Sequence, residues 1–145
     1  MLEEFEGHSE GRMRIRCRAI VKGNDEGEAL VTKQPINFLT MIDLKSGIVK
    51  DAKHELYKKN IANKVLVFPN AVGSSVGAYS IYALKGSRVA PKAIVCKKAD
   101  ITTASGCAIA NIPLVDSPES DVFAIKSGLT VKVDAVVGLI EIGEK

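Results

Sequence analysis

Lys64-Val-Leu-Val-Phe-Pro-Asn-Ala-Val-Gly-Ser-Ser-Val-Gly-Ala-Tyr-Ser-Ile-Tyr-Ala-Leu-Lys85 decides how the chain reads. Val65 to Phe68 is an apolar run too short for a helix and without a polar residue, as expected of a short buried strand. Pro69, Asn70 and Gly73 then punctuate a turn. The apolar series Val76, Tyr79, Ile81, Tyr82 and Leu84 predicts a helix, with Ser74 or Ser75 at its N-cap and Gly86 at its C′ position. The first turn of a helix presents unpaired N–H groups and the positive end of the macrodipole, so it can hold an anion. A serine hydroxyl there is either a cap or a reactive oxygen whose charge the helix end stabilises.

Downstream, Ala93 to Cys96 is a second short buried strand, reached through Pro91. Strand, helix and strand make a βαβ-like unit with a parallel pair. Thr102 to Ala110 reads as a short helix, Ile112 to Val115 as a strand and Ser117 to Ser120 as a turn. Val122 to Ile125, Leu129 to Val133 and Val136 to Ile142 read as β-rich. Upstream, Met13 to Val21 alternates Met13, Ile15, Cys17 and Ala19 with Arg12, Arg14, Arg16 and Arg18, which predicts one half-buried strand with a solvated arginine face. Lys22 to Gly27 is a turn, Glu28 to Thr32 a second strand ended by Pro35, Thr40 to Lys50 a short strand or loop, and Lys53 to Asn60 a polar connection. Residues 1–12 are expected to be a polar N-terminal tail and 13–145 a single domain of mixed, β-rich α/β class.

Composition bounds the function. With 145 residues, 46% of them hydrophobic and 26% charged, the chain can bury a real core. Its formal charge of +3 is small, and no aromatics are interleaved with the arginines, which argues against a nucleic-acid stripe. No apolar run reaches the ~20 residues of a membrane helix, so the expectation is a soluble, cytoplasmic protein. Cys17, Cys96 and Cys107 are odd in number and form no CxxC pair. They predict buried thiols rather than a disulfide framework or a metal site.

The familiar catalytic patterns fail. Gly73-Ser-Ser-Val-Gly77 can be forced into a nucleophile elbow, but no histidine follows Ser75, so no triad can form. A phosphate loop is absent. His54 with Asp51 and Glu55 is a weak metal cluster, and solvated polar residues are the plainer reading. What remains is Ser74 and Ser75, for which pattern alone favours a helix cap.

Several separate motifs in order carry a resemblance. Gln34-Pro-Ile-Asn-Phe38, Asp43, Gly47-Ile-Val, Asp51, His54, Lys64 to Pro69, Gly73 to Tyr79, Ala90-Pro-Lys-Ala-Ile94, Ile112 to Asp116 and Val131 to Ile142 together resemble the swivel-domain half of the aconitase X family, in its archaeal branch. The resemblance implies a swivelling β/β/α domain, as at the C-terminus of aconitase, that closes over a separate large subunit holding an iron–sulfur cluster. It implies no cofactor on this chain. The activity implied is dehydration of (R)-mevalonate 5-phosphate to trans-anhydromevalonate 5-phosphate, with another hydroxy acid such as cis-3-hydroxy-L-proline as the alternative. By the same resemblance Ser74 is the catalytic base, while Gly73, Ser75, Asn37, Asp51 and His54 are candidate substrate-binding residues and Pro35 lines the closing face. At Val76 the chain departs from aconitases proper, which have arginine there, and is similar to the aconitase X branch. It departs from that branch at Ala71-Val72, where many members place a basic residue. A non-catalytic scaffold subunit, with the serine as a plain cap, is the reading from a different class.

Overall fold

The computed structural model describes residues 2–4 and 13–143. Its strands are β1 (Leu2–Glu4), β2 (Met13–Arg16), β3 (Arg18–Val21), β4 (Asn24–Val31), β5 (Val65–Phe68), β6 (Ala93–Cys96), β7 (Leu114–Asp116), β8 (Thr130–Asp134) and β9 (Leu139–Ile142). Two helices, α1 (Val76–Gly86) and α2 (Ile101–Ala110), follow β5 and β6. The strand order is β1-β2-β9-β8-β4-β5-β6-β7-β3. Its β4-β5-β6-β7 part is parallel, and β1-β2-β9-β8-β4 is antiparallel. β4 belongs to both: Asn24 to Glu28 pair with β8, and Ala29 to Val31 pair with β5.

Alternation along the strands builds three layers. Val65 and Val67 of β5, with Ala93 and Val95 of β6, pack against Val131, Val133 and Ile140 of the antiparallel sheet. Leu66, Phe68, Ile94 and Cys96 point the other way, into a core with Ile81, Leu84, Cys107 and Ala110 of the helices. Strands buried on both faces need the unbroken apolar runs that the sequence has. The helices approach closely because α2 has Gly106 at the crossing. A Cβ there would lie 3.0 Å from Ile81 Cδ1 and 3.1 Å from Ala78 Cα. The mixed, β-rich α/β class is as the sequence predicts, and the β/β/α layering is as the resemblance implies.

Local expectations differ in five places. Leu2–Glu4, within the expected tail, is an edge strand on β2; the rest of residues 1–12, including His8 and Arg12, lies outside the described residues. Met13 to Val21 is two strands. The Cys17 N–H donates to Gly138 O at 3.0 Å, and a Cβ on Gly138 would lie 2.4 Å from Cys17 O. At that crossing the chain leaves β9 and joins β7, so one run serves both sheets. The arginines are not a free solvated face: Arg14 pairs with Glu141 at 2.7 Å, and Arg18 grips Asp116 with two bonds of 2.8 and 2.9 Å. The strand predicted from Glu28 begins at Asn24, and Val122–Ala124 is a 3-10 turn, because the Asp121 carboxylate accepts from Phe123 N–H. Finally, Gly86 is the last helical residue and Arg88, with φ +64°, holds the left-handed C′ position. Arg88 N–H donates to Lys85 O and Val89 N–H to Leu84 O, both at 3.0 Å, a Schellman closure built without glycine.

Candidate active site

Parallel strands deliver their carboxyl ends to one edge, and in open α/β sheets that edge is where ligands sit. Here it gathers Thr32-Lys33 after β4, Pro69 to Ser75 after β5, Lys97-Lys98 after β6 and Ser117 after β7. Backbone bonds tie these ends together. Thr32 N–H donates to Val67 O at 2.9 Å, Lys97 and Lys98 N–H to Pro69 O at 3.0 and 3.3 Å, and Ser117 N–H to Lys97 O at 3.0 Å. The bend at Lys97 to Ala99 is fixed further by Ala99 N–H, which donates to the buried Asp116 carboxylate at 2.9 Å. Burial pushes that carboxyl's pKa up, but Arg18 and the Ala99 amide outweigh it and hold it below the usual value.

The serine turn sits at this edge on a second support. The segment 35–37 runs alongside it, bridged in parallel at Ile36 and Ala71. Ile36 N–H donates to Asn70 O at 3.2 Å and Val72 N–H to Ile36 O at 2.9 Å. Gly73 has φ +110°, and a Cβ on it would lie 2.7 Å from Asn37 Nδ2, so conformation and space both require glycine. Asn37 Oδ1 accepts from Leu39 and Thr40 N–H at 3.0 and 3.1 Å, which turns the chain and holds the amide against Gly73.

Ser74 and Ser75 differ. Ser75 occupies the N-cap position but in helical conformation, φ −61° and ψ −14°, and its side chain makes no capping bond. Ser74 Oγ accepts from Val76 N–H at 3.3 Å, a long bond, while Ser74 O accepts from Gly77 N–H at 3.0 Å. Both serines are exposed. The backbone N–H groups of Gly73, Ser74 and Ser75 have no acceptor among the described residues. Ser74 therefore presents an exposed oxygen beside a helix end, in contact with one donor and adjacent to three more.

The remaining predicted residues support the turn from behind. His54 is buried, which corrects the expectation of a solvated side chain. Its Nδ1 accepts from Leu56 N–H at 3.1 Å, so the proton resides on Nε2, which donates to Pro35 O at 3.1 Å. Both ring nitrogens are thus used inside the chain. Asp51 accepts from Lys53 N–H at 2.9 Å through its carboxylate and from His54 N–H at 3.0 Å through its carbonyl, forming the turn that presents His54. Glu55 is bound by the Thr32 hydroxyl and by Lys33 N–H, which lower its pKa. Support therefore runs from Asp51 through His54 to Pro35, then to Asn37, Gly73 and Ser74. Sequence reasoning missed Lys33, Lys97 and Lys98, whose place at the serine edge follows only from strand order.

Among the described residues no group of three or more His, Cys, Asp or Glu side chains is arranged to hold a metal. Burial pushes the Cys107 thiol up to about 12 and the Cys96 thiol well above its ordinary value. Cys17 is only half-buried, short of the burial expected of it. Even so, desolvation and the nearby Asp116, Asp134 and Glu119 charges push it up to about 12. Thiols held protonated by burial, with no grouping of three or more such ligands among the described residues, do not fit an iron–sulfur cluster.

The model of the aconitase X swivel domain matches residues 14–142. The chain belongs to that family. Among relatives of this swivel domain, the phosphomevalonate dehydratase small subunit of Thermococcus kodakarensis is 46% identical over 132 residues, covering 91% of this chain and 98% of its own. That of Archaeoglobus fulgidus is 46% identical over 133 residues, covering 91% and 100%. The crystal structure of the Thermococcus kodakaraensis aconitase X holo-form superposes with a TM-score of 0.86 at 45% identity, covering 90% of this chain and 98% of that one. The swivel-domain fold expected from the sequence is the fold found. No helix among the described residues is long and apolar enough to cross a membrane.

Proposed function

We propose that this swivel domain is the small subunit of a phosphomevalonate dehydratase. As such it is a hydro-lyase subunit that works on (R)-mevalonate 5-phosphate in a site shared with a large subunit. The observation that carries the reading is an exposed Ser74 on a glycine-required turn, in a chain whose relatives of that name match it over nine-tenths of its length.

In the proposed reaction Ser74 Oγ, as the alkoxide, takes the proton from the carbon next to the substrate carboxylate. The electron pair of that C–H bond becomes the second bond of the new double bond. The hydroxyl on the neighbouring carbon departs as hydroxide, and the proton that Ser74 Oγ has taken up balances it. Together they make the water released, which restores the alkoxide and leaves trans-anhydromevalonate 5-phosphate. A serine is a poor base in water, so its charge needs donors in a closed, dry site. The Val76 N–H bond to Oγ supports this role, since a bond that is long to a hydroxyl strengthens to an oxyanion. The unpaired N–H groups at 73–75, with Lys97 and Lys98, suit the substrate's anionic groups. On this proposal the large subunit would hold an iron–sulfur cluster, which would supply Lewis-acid chemistry for the leaving hydroxyl.

The test is anaerobic reconstitution with the large subunit encoded in the same genome, followed by mevalonate 5-phosphate and detection of product by mass and by phosphorus NMR. Dehydration is expected from the complex and not from either chain alone. Turnover of cis-3-hydroxy-L-proline instead, or activity of this chain by itself, overturns the reading.

A further inference from the structure

α1 and α2 are apolar on both sides. Their inner faces, with Ile81, Leu84, Cys107 and Ala110, cover the parallel sheet. Their outer faces have almost no charge: across 11 and 10 residues the single charged side chain is Lys85, at the last turn of α1. Instead α1 presents Val76, Tyr79 and Tyr82 at a spacing of three, with Tyr79 74% exposed, and α2 presents Ile101 and Ile109 at a spacing of eight, with Ile101 82% exposed. Between them runs a groove of about 590 Å³ lined by Ser75, Tyr79, Tyr82, Ile101, Ser105 and Ile109. A helix that is apolar all round is a buried helix, and tyrosine-rich, charge-poor faces are the composition of interface cores.

Position names the occupant. The stripe starts at the serine turn: Val72 and Val76, both exposed, flank Gly73-Ser74-Ser75, and Ser75 itself lines the groove. Whatever chain completes a site over Ser74 meets this stripe without a gap. We infer that the α1–α2 face is the docking surface for the large subunit, with Tyr79, Tyr82, Ile101 and Ile109 as its apolar anchors. The inference rests on the two-subunit reading above and adds which face the partner covers.

The test uses Tyr79→Glu with Ile101→Glu, and Ile109→Lys as a separate variant. All three positions are exposed, so folding is checked by thermal melting and is expected to be unchanged. Affinity for the large subunit, measured by calorimetry or biosensor, should fall by about 100-fold or more, as for interface anchors. Val137→Lys, at an exposed apolar position in the β8–β9 turn, serves as the control and should bind normally. Normal affinity of the folded helix-face variants overturns the inference. So does a homodimer of the isolated chain that these variants dissociate while the complex with the large subunit survives. Binding is read without turnover, so a complex that assembles through this face but leaves mevalonate 5-phosphate untouched refutes the proposed activity and not the docking surface.

Discussion

Gly73→Ala tests how tightly the serine turn is determined. Two costs add. At φ +110° an L-residue is held outside its allowed regions, a strain of about 1–3 kcal/mol. The new methyl also meets Asn37 Nδ2 at 2.7 Å, and Asn37 cannot swing away freely because its Oδ1 holds Leu39 and Thr40 N–H. Loosening those two bonds costs about 1 kcal/mol each at most. The expected destabilisation is about 2–4 kcal/mol, read as a shift in the urea midpoint at constant slope. The double variant with Asn37→Ala separates the parts: it relieves the collision and leaves the φ strain. The two substitutions should therefore couple by about 1–2 kcal/mol rather than add. A Gly73→Ala protein within 0.5 kcal/mol of wild type, or strict additivity with Asn37→Ala, would refute the reasoning.

Other outcomes follow from single contacts. Arg88→Gly places glycine in the left-handed C′ position and should stabilise the fold by about 0.5–1 kcal/mol in the same urea assay. Asp116→Asn removes the partner of Arg18 and an acceptor of Ala99 N–H, and should cost about 1–3 kcal/mol at neutral pH. Because the Asp116 carboxyl is held below its unfolded value, its contribution is complete above the unfolded pKa, about 4, and is lost as pH falls through the lower folded value. Urea melts from pH 7 to 3 should bring wild type towards Asp116→Asn, not away from it. In the reconstituted enzyme, Lys97→Gln with Lys98→Gln should raise KM for the phosphorylated substrate several-fold, at about unchanged kcat. An unchanged KM removes the two lysines from the site.

The βαβ unit was legible because its signals are local. Val65 to Phe68 and Ala93 to Cys96 are unbroken apolar runs, and the helix between them has its own periodicity. What escaped is what depends on distant partners. The break at Cys17 exists because Gly138 crosses it, and alternation along Met13 to Val21 cannot record a change of neighbouring strand. His54 lies among polar residues and reads as solvated; it is buried because the Gln34–Pro35 segment folds over it and uses its Nε2 proton. Val122 to Ala124 has β-forming residues, yet one aspartate cap turns it into a 3-10 segment. The serine turn was legible in its letters but not in its division of labour. The spacing admitted either serine as the cap, whereas only the Ser74 hydroxyl takes a helix N–H. The lysines at the edge carry no motif, so strand order alone reveals them.

The central claim is that Ser74 does chemistry rather than merely closing a helix. Ser74→Ala removes one long hydrogen bond, so folding and assembly with the large subunit should change little. Turnover of mevalonate 5-phosphate by the reconstituted variant is the measurement to make. The account predicts a loss of about 100- to 10,000-fold in kcat with the complex intact. Near-wild-type kcat would return Ser74 to being a cap and contradict the account.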